Sequence, residues 1–250
     1  MKTPRQILRI ALGACLATSV FAQPSDVRVG LVAYYPLEAI NSGTTPDMAF
    51  TNTLTVVGTP DVGAGKFNNA FTFNGSSSYL TNLHAPDNTA TGLPIYRAGS
   101  YTIAMWVKGP AQANKYLYAE GNTNTAGSTA GQNPLLILQT GSAVNSSKCD
   151  VIIRNDAGTA LVNHIFSSTV VFDSMWHHIA WVDDRGSVKL YVDGILDTAN
   201  FNYTPTGIFT LNTSAIGTLI RAGVATGNIF NGQIDDVAVW ERALIPELLT

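Results

Sequence analysis

Residues 176–194 read WHHIAWVDDRGSVKLYVDG, with two histidines, two tryptophans and three aspartates close together. Such a stretch could be an active site, or two sheet strands and the turn that joins them. Alternation decides between these. IAWV and VKLYV both alternate, and DDRGS between them holds Gly186 where a hairpin needs φ > 0. Centring the turn on Gly186 predicts Val182 facing Leu190 and Ala180 facing Val192 on one side. Trp181 then faces Tyr191 on the other. Asp183, Asp184 and Asp193 fall at strand ends, which is turn chemistry before it is catalysis. His178 shares a face with Ala180 and Val182, so a buried, hydrogen-bonded imidazole is expected rather than a ligand or a base. The stretch reads as a hairpin.

The rest of the chain follows the same pattern. LVAYYPL, NAFTFNG, YTIAMWVKG, PLLILQTG, CDVIIRND, ALVNHIFSS and IFNGQIDDVAVWERAL are short strand-like runs bounded by Gly, Asn, Asp or Pro. Helical periodicity is nearly absent until ERALIPELL, where Pro246 allows a turn or two at most. An all-β, antiparallel sandwich or barrel is expected. Trp106 and Trp176 are expected between the sheets, with Phe71 or Phe73, Val182, Leu190 and Val239. Two polar connections, 83–99 and 120–134, are too long for hairpin turns, and loops of that length are commonly functional.

Residues 1–22 read as a secretory signal. MKTPRQILR is basic, IALGACLATSV is uncharged, and Val20 and Ala22 occupy the small-residue positions before a cut. LGAC around Cys15 offers a lipoprotein box as the alternative. The apolar run is shorter than the roughly 20 residues that span a bilayer, and no other stretch is long enough. A soluble, exported domain over 23–250 is expected. The chain's 14 basic and 17 acidic residues give −3, which becomes −6 once Lys2, Arg5 and Arg9 leave with the signal. With no basic run, nucleic acid is not an expected partner. Cys149 is then the one remaining cysteine, expected to pack as a small apolar side chain.

WHHIAWVDDRGSVKLYVDG resembles the central hairpin of laminin-G-like, or concanavalin A-like, jelly-roll domains of secreted bacterial proteins. GLVAYYPLEAINSG resembles their opening strand and GKFNNAFTFNGSSSYL their glycine-led second motif. SYTIAMWVKG resembles the strand with a core tryptophan, and FNGQIDDVAVWERAL the closing strand with its short helical tail. The resemblance runs from about Gly30 to Leu244 and implies a two-sheet jelly roll. Trp181 stands where the family usually has a small or aliphatic residue. Residues that normally follow the helical turn are absent, which leaves open that this is the front part of a longer protein.

Hydrolases of this fold carry a Glu-x-Asp-x-x-Glu-like strand whose carboxylates share one bond. Here Glu38, Glu120, Glu241 and Glu247 each lack an acid two positions away. Lyases of the fold carry an Arg-rich strand and a Gln-x-His strand, and GQID has Asp235 in place of that histidine. The four histidines lack a nucleophile-elbow motif nearby, and no Cys/His spacing suggests zinc. A non-catalytic binding module for carbohydrate or another surface polymer is expected. The alternatives are a structural or protein-interaction domain and, third, an unusual polysaccharide enzyme.

Two sites follow. Trp181 and Tyr191, opposed on the outer face of the hairpin, could stack on sugar rings; otherwise one of the long loops folds over and buries both. The resemblance also implies a structural calcium where the first and last strands pair, at Asp235 of IDDV with Glu38 as partner. The competing reading has Asp235 and Asp236 hydrogen-bonding neighbouring loops.

Overall fold

The computed structural model describes residues 26–123 and 134–249, so the signal expected at 1–22 lies outside the described residues. Two antiparallel eight-stranded sheets pack face to face. The first runs in the order Ile195–Leu196, Ser187–Val192, His177–Asp184, Ser100–Lys108, Asn231–Trp240, Asn69–Asn74 and Asp61–Ala64. Leu31–Tyr35 also pairs with Asn231–Trp240. The second sheet runs Ala160–Val170, Lys148–Arg154, Leu135–Thr140, Tyr116–Gly121, Thr213–Ile216, Tyr79–Leu83, Leu54–Val57 and Thr44–Thr45. Among the described residues, a two-stranded ribbon of Ile220–Arg221 with Val224–Ala225 and three short 3-10 turns complete the structure, the last at Pro246–Leu248, where the expected helical tail falls. Among the described residues no helix is long and apolar enough to cross a membrane.

The core lies between the sheets, and strand parity sets its membership. In Ser100–Lys108, Tyr101, Ile103, Met105 and Val107 are fully buried on the inner face. Four large apolar side chains outweigh one indole, so Trp106 takes the outer face. The expectation that Trp106 and Trp176 fill the core is therefore corrected, and both are partly exposed. Val182 also faces outward, into a smaller apolar cluster. Phe71, Phe73, Leu190 and Val239 do lie in the core, and Cys149 is buried there.

The hairpin forms, with a register one residue from expectation. Arg185 and Gly186 both have positive φ, 53° and 86°, which makes a two-residue turn of the primed kind. Asp184 therefore pairs with Ser187, Trp181 with Leu190 and Ala180 with Tyr191. A side chain on Gly186 would strike the Tyr203 carbonyl oxygen, 2.1 Å from its Cβ. A one-residue slip exchanges faces. Trp181 thus enters the core at 0% exposure, its Nε1 donating to Tyr101 Oη at 3.3 Å and its ring meeting Phe201 edge-on. The turn role of the aspartates holds: Asp183 accepts from Gly186 N at 2.7 Å and from Tyr203 Oη at 2.6 Å.

The connection 83–99 is anchored rather than free. Leu93 and Ile95 are in the core, and the buried Glu120 carboxylate accepts from Ile95 N at 2.5 Å and Tyr96 N at 3.1 Å. Burial pushes the Glu120 pKa up to about 7, against those hydrogen bonds.

Two outcomes follow from this packing. Trp181→Ala should cost about 3–5 kcal/mol in chemical denaturation, and Trp106→Ala distinctly less, because only the first opens a cavity between the sheets. A larger loss from Trp106→Ala would reverse the assignment of faces. The Glu120 effect is tested by melting as a function of pH. With its folded pKa above its ordinary value of 4.5, the native state holds more protons than the unfolded chain between that value and about 7. Its contribution makes stability fall as pH rises through this window. Glu120→Gln should flatten the slope there; an unchanged slope would show that Glu120 does not titrate in it.

Candidate ligand-binding cleft

Both rings expected to form a sugar platform are buried. Trp181 is in the core. Tyr191, on the opposite face, is 4% exposed and packs in the outer cluster with Ala180, Val182 and Leu244. The cover is the C-terminal segment: Ala243, Leu244, Ile245 and Pro246 line one small cleft together with Tyr191. His178 shares the outer face with Ala180 and Val182 as expected, but it is partly exposed, with its ring 5.1 Å from Trp106. Burial lowers its pKa, which favours the neutral ring.

Asp235 and Glu38 meet the same turn. Asp235 Oδ2 accepts from Lys66 N at 2.8 Å and Phe67 N at 3.1 Å. Glu38 accepts from Asn68 Nδ2 at 3.2 Å and Asn69 N at 3.0 Å. Asp236, at φ 49°, is a bulge in the last strand, and it accepts from Tyr34 Oη at 2.5 Å. Each carboxylate thus serves a loop or a neighbouring strand. Asp235 Oδ1 is left buried without a partner, and burial pushes the Asp235 pKa up to about 6. That is one free oxygen towards the six to eight calcium takes. Among the described residues no group of three or more metal-ligating side chains gathers.

The second sheet carries a different constellation on its outer face. Cross-strand pairing sets Tyr116 beside Gln139, Gln139 beside Asp150 and Asp150 beside Phe166, one row over four strands. Asp150 is fully buried, and its Oδ2 accepts from Gln139 Nε2 at 2.7 Å and from His164 Nδ1 at 2.8 Å. Burial raises the Asp150 pKa, against these two bonds. His164 is the extra residue of a β-bulge: Val151 pairs with Ile165 and Ile152 with Asn163, and His164 has φ 55°. The bulge turns its ring to the outer face. There it stacks with Phe166 at 6.4 Å and 26°. With Nδ1 held by Asp150, Nε2 is left for a ligand.

Around this row lies a cleft of about 500 Å³, lined by Asn114, Tyr116, Gln139, Ser142, Ile152, His164, Phe166 and Asn228. Asn228 Nδ2 donates to Tyr116 Oη at 3.3 Å, fixing the phenol. Rings that are apolar on their faces alternate with amides and a hydroxyl, and among the described residues no carboxylate lines the opening. Sequence reading missed these residues. Only NHIF, with His164 and Phe166 two apart, hinted at a shared face, and the bulge that brings them together leaves no motif. A second cleft of about 440 Å³, on the outer face of the first sheet, is lined by Phe67, Trp106, His178, Asp193, Gly194, Leu248 and Leu249.

Comparison with known proteins bears on this geometry. The laminin-G-type family described as the concanavalin A-like lectin/glucanases superfamily matches residues 74–248. Domain 4 of AbnA, a GH43 extracellular arabinanase from Geobacillus stearothermophilus solved with arabinotriose, superposes with a TM-score of 0.60 at 21% identity. The match covers 88% of this chain and 96% of that domain. The Trypanosoma rangeli sialidase gives 0.60 at 15% identity over 88% of this chain and 32% of the enzyme. The binding domain of botulinum neurotoxin serotype D gives 0.60 at 14% over 88% and 50%. The chain thus spans a third of the sialidase and half of the toxin domain.

Proposed function

Because this chain belongs to the concanavalin A-like lectin/glucanase superfamily, we propose that it is an exported, non-catalytic module that binds carbohydrate in the cleft of its second sheet. The observation that carries this reading is the row Tyr116–Gln139–Asp150–Phe166 with His164 beside it. Sugars present apolar C–H faces and a rim of hydroxyls. Tyr116, Phe166 and His164 suit the first, and the amides of Asn114, Gln139 and Asn228 suit the second. The arabinotriose complex of the AbnA domain supports the ligand class, and export rests on the basic, then apolar, residues 1–22. The absence of acids among the lining residues favours binding over hydrolysis, which asks for two carboxylates.

A glycan array on the exported chain tests this. At least one oligosaccharide should bind, and Tyr116→Ala should weaken it about tenfold in a protein that still folds cooperatively. Full affinity in that variant would move the site elsewhere. Product release from the bound polysaccharide would overturn the non-catalytic assignment.

The second cleft favours another reading, a protein-interaction surface. Phe67, Trp106, Leu248 and Leu249 give it an apolar wall beside His178 and Asp193, and Phe67 is 53% exposed there. Loss of partner binding in Phe67→Ala, with glycan binding intact, would support it.

Calcium at Asp235 stays a proposal on one orphaned oxygen, the rest of the shell coming from backbone carbonyls and water. Titrating calcium into chelator-treated protein should release or absorb heat and raise the melting temperature. Neither change would remove the ion.

A further inference from the structure

The outer face of the second sheet continues past the aromatic row. Along Lys148–Arg154, Cys149, Val151 and Ile153 point into the core, so Asp150, Ile152 and Arg154 share the outward side. Arg154 stands one outward position beyond Ile152, a wall of the cleft, roughly 6–7 Å further along the strand. It is half-buried, its Nη1 is shut from solvent without a hydrogen-bond partner, and it makes no ion pair with a described residue. A guanidinium keeps its charge and offers five N–H donors, so burying one without an acceptor is costly.

A second guanidinium is brought up to it. Asn122 and Arg221 form a parallel bridge that lays Ile220–Arg221 against the strand Tyr116–Gly121. Gly121 makes this approach possible, since a Cβ there would fall 2.0 Å from the Ile220 carbonyl oxygen. Arg221 is near enough that its charge, after burial, is the next cause lowering the Arg154 pKa. The floor beside them is apolar: Leu135, Ile137, Ile152 and Leu219. A half-buried guanidinium with an unsatisfied N–H beside an apolar floor is an arrangement that an anionic ligand offsets.

Resting on the glycan reading of this cleft, we propose that its ligand is an acidic sugar, with the carboxylate or sulfate at Arg154 and the ring against Tyr116, Phe166 and His164. The same chemistry arises in uronate and in sulfated polymers, and the test separates them. Oligosaccharides of polygalacturonate are compared with their carboxyl-reduced counterparts, and dextran sulfate fragments with dextran, at fixed ionic strength. The wild type should bind one acidic member at least about tenfold more tightly than its neutral counterpart. Arg154→Gln should erase that preference, leave neutral affinity unchanged and not lower the melting temperature. Should Arg154→Gln fold poorly, the salt dependence of the wild type serves instead: the preference should shrink between low and high salt.

No acidic preference in the wild type, or a preference kept by Arg154→Gln, overturns the proposal. If neutral sugars bind and Tyr116→Ala abolishes them while acids gain nothing, the acidic ligand falls and the cleft reading stands. If Arg154→Gln loses acidic binding that Tyr116→Ala keeps, the anion site stands and the aromatic cleft falls. Binding of none of these probes overturns the acidic proposal.

Discussion

The tight turn at Arg185–Gly186 sets which side chains the sandwich can bury. A strand in a two-sheet sandwich sends alternate residues to opposite sides, so each hairpin's register sorts its whole set of side chains. With Asp184 opposite Ser187, Ile179, Trp181, Val188, Leu190 and Val192 face the second sheet together. Ala180, Val182 and Tyr191 face outward, where the C-terminal segment covers them. Tyr101 and Phe201 close around Trp181, so a large indole occupies a position the family more often fills with a smaller group.

Alternation breaks at a few places, and those places carry the polar chemistry. At Asp236 the bulge ends the pairing of the last strand with Asn69–Asn74 and begins its pairing with Leu31–Tyr35. At His164 the bulge adds a ring to an outer face already holding Phe166. Both residues adopt a positive φ that costs backbone energy, and both are held by side-chain partners, Tyr34 and Asp150.

Buried carboxylates do the work that helix caps do elsewhere. Glu120 holds the segment at Ile95, Asp183 the hairpin turn, Asp235 the turn at Lys66 and Asp150 the cleft's imidazole and amide. In each, burial raises the pKa and hydrogen-bond donors oppose it. A chain of long loops with few helices must satisfy many backbone N–H groups, and short acidic side chains reach them.

The sequence by itself determined the fold class. Period-two alternation between Gly- and Asn-rich turns is a local property of strands, and five motifs in family order carried the jelly roll. It also placed Cys149, Leu190 and Val239 in the core and gave Asp183 its turn role, because each rests on neighbours in the chain. Tertiary structure alone decided the face of Trp181 and the cover over Tyr191, whose outward face was expected. Composition does not state whether a turn has one or two residues at positive φ, and that single choice exchanges the sides. The cleft was out of reach for a related reason. Tyr116, Gln139, Asp150 and Phe166 lie on four strands and become neighbours only through hydrogen-bond pairing. His164 joins them only because a bulge, a mismatch between two strands, cannot be read from either one.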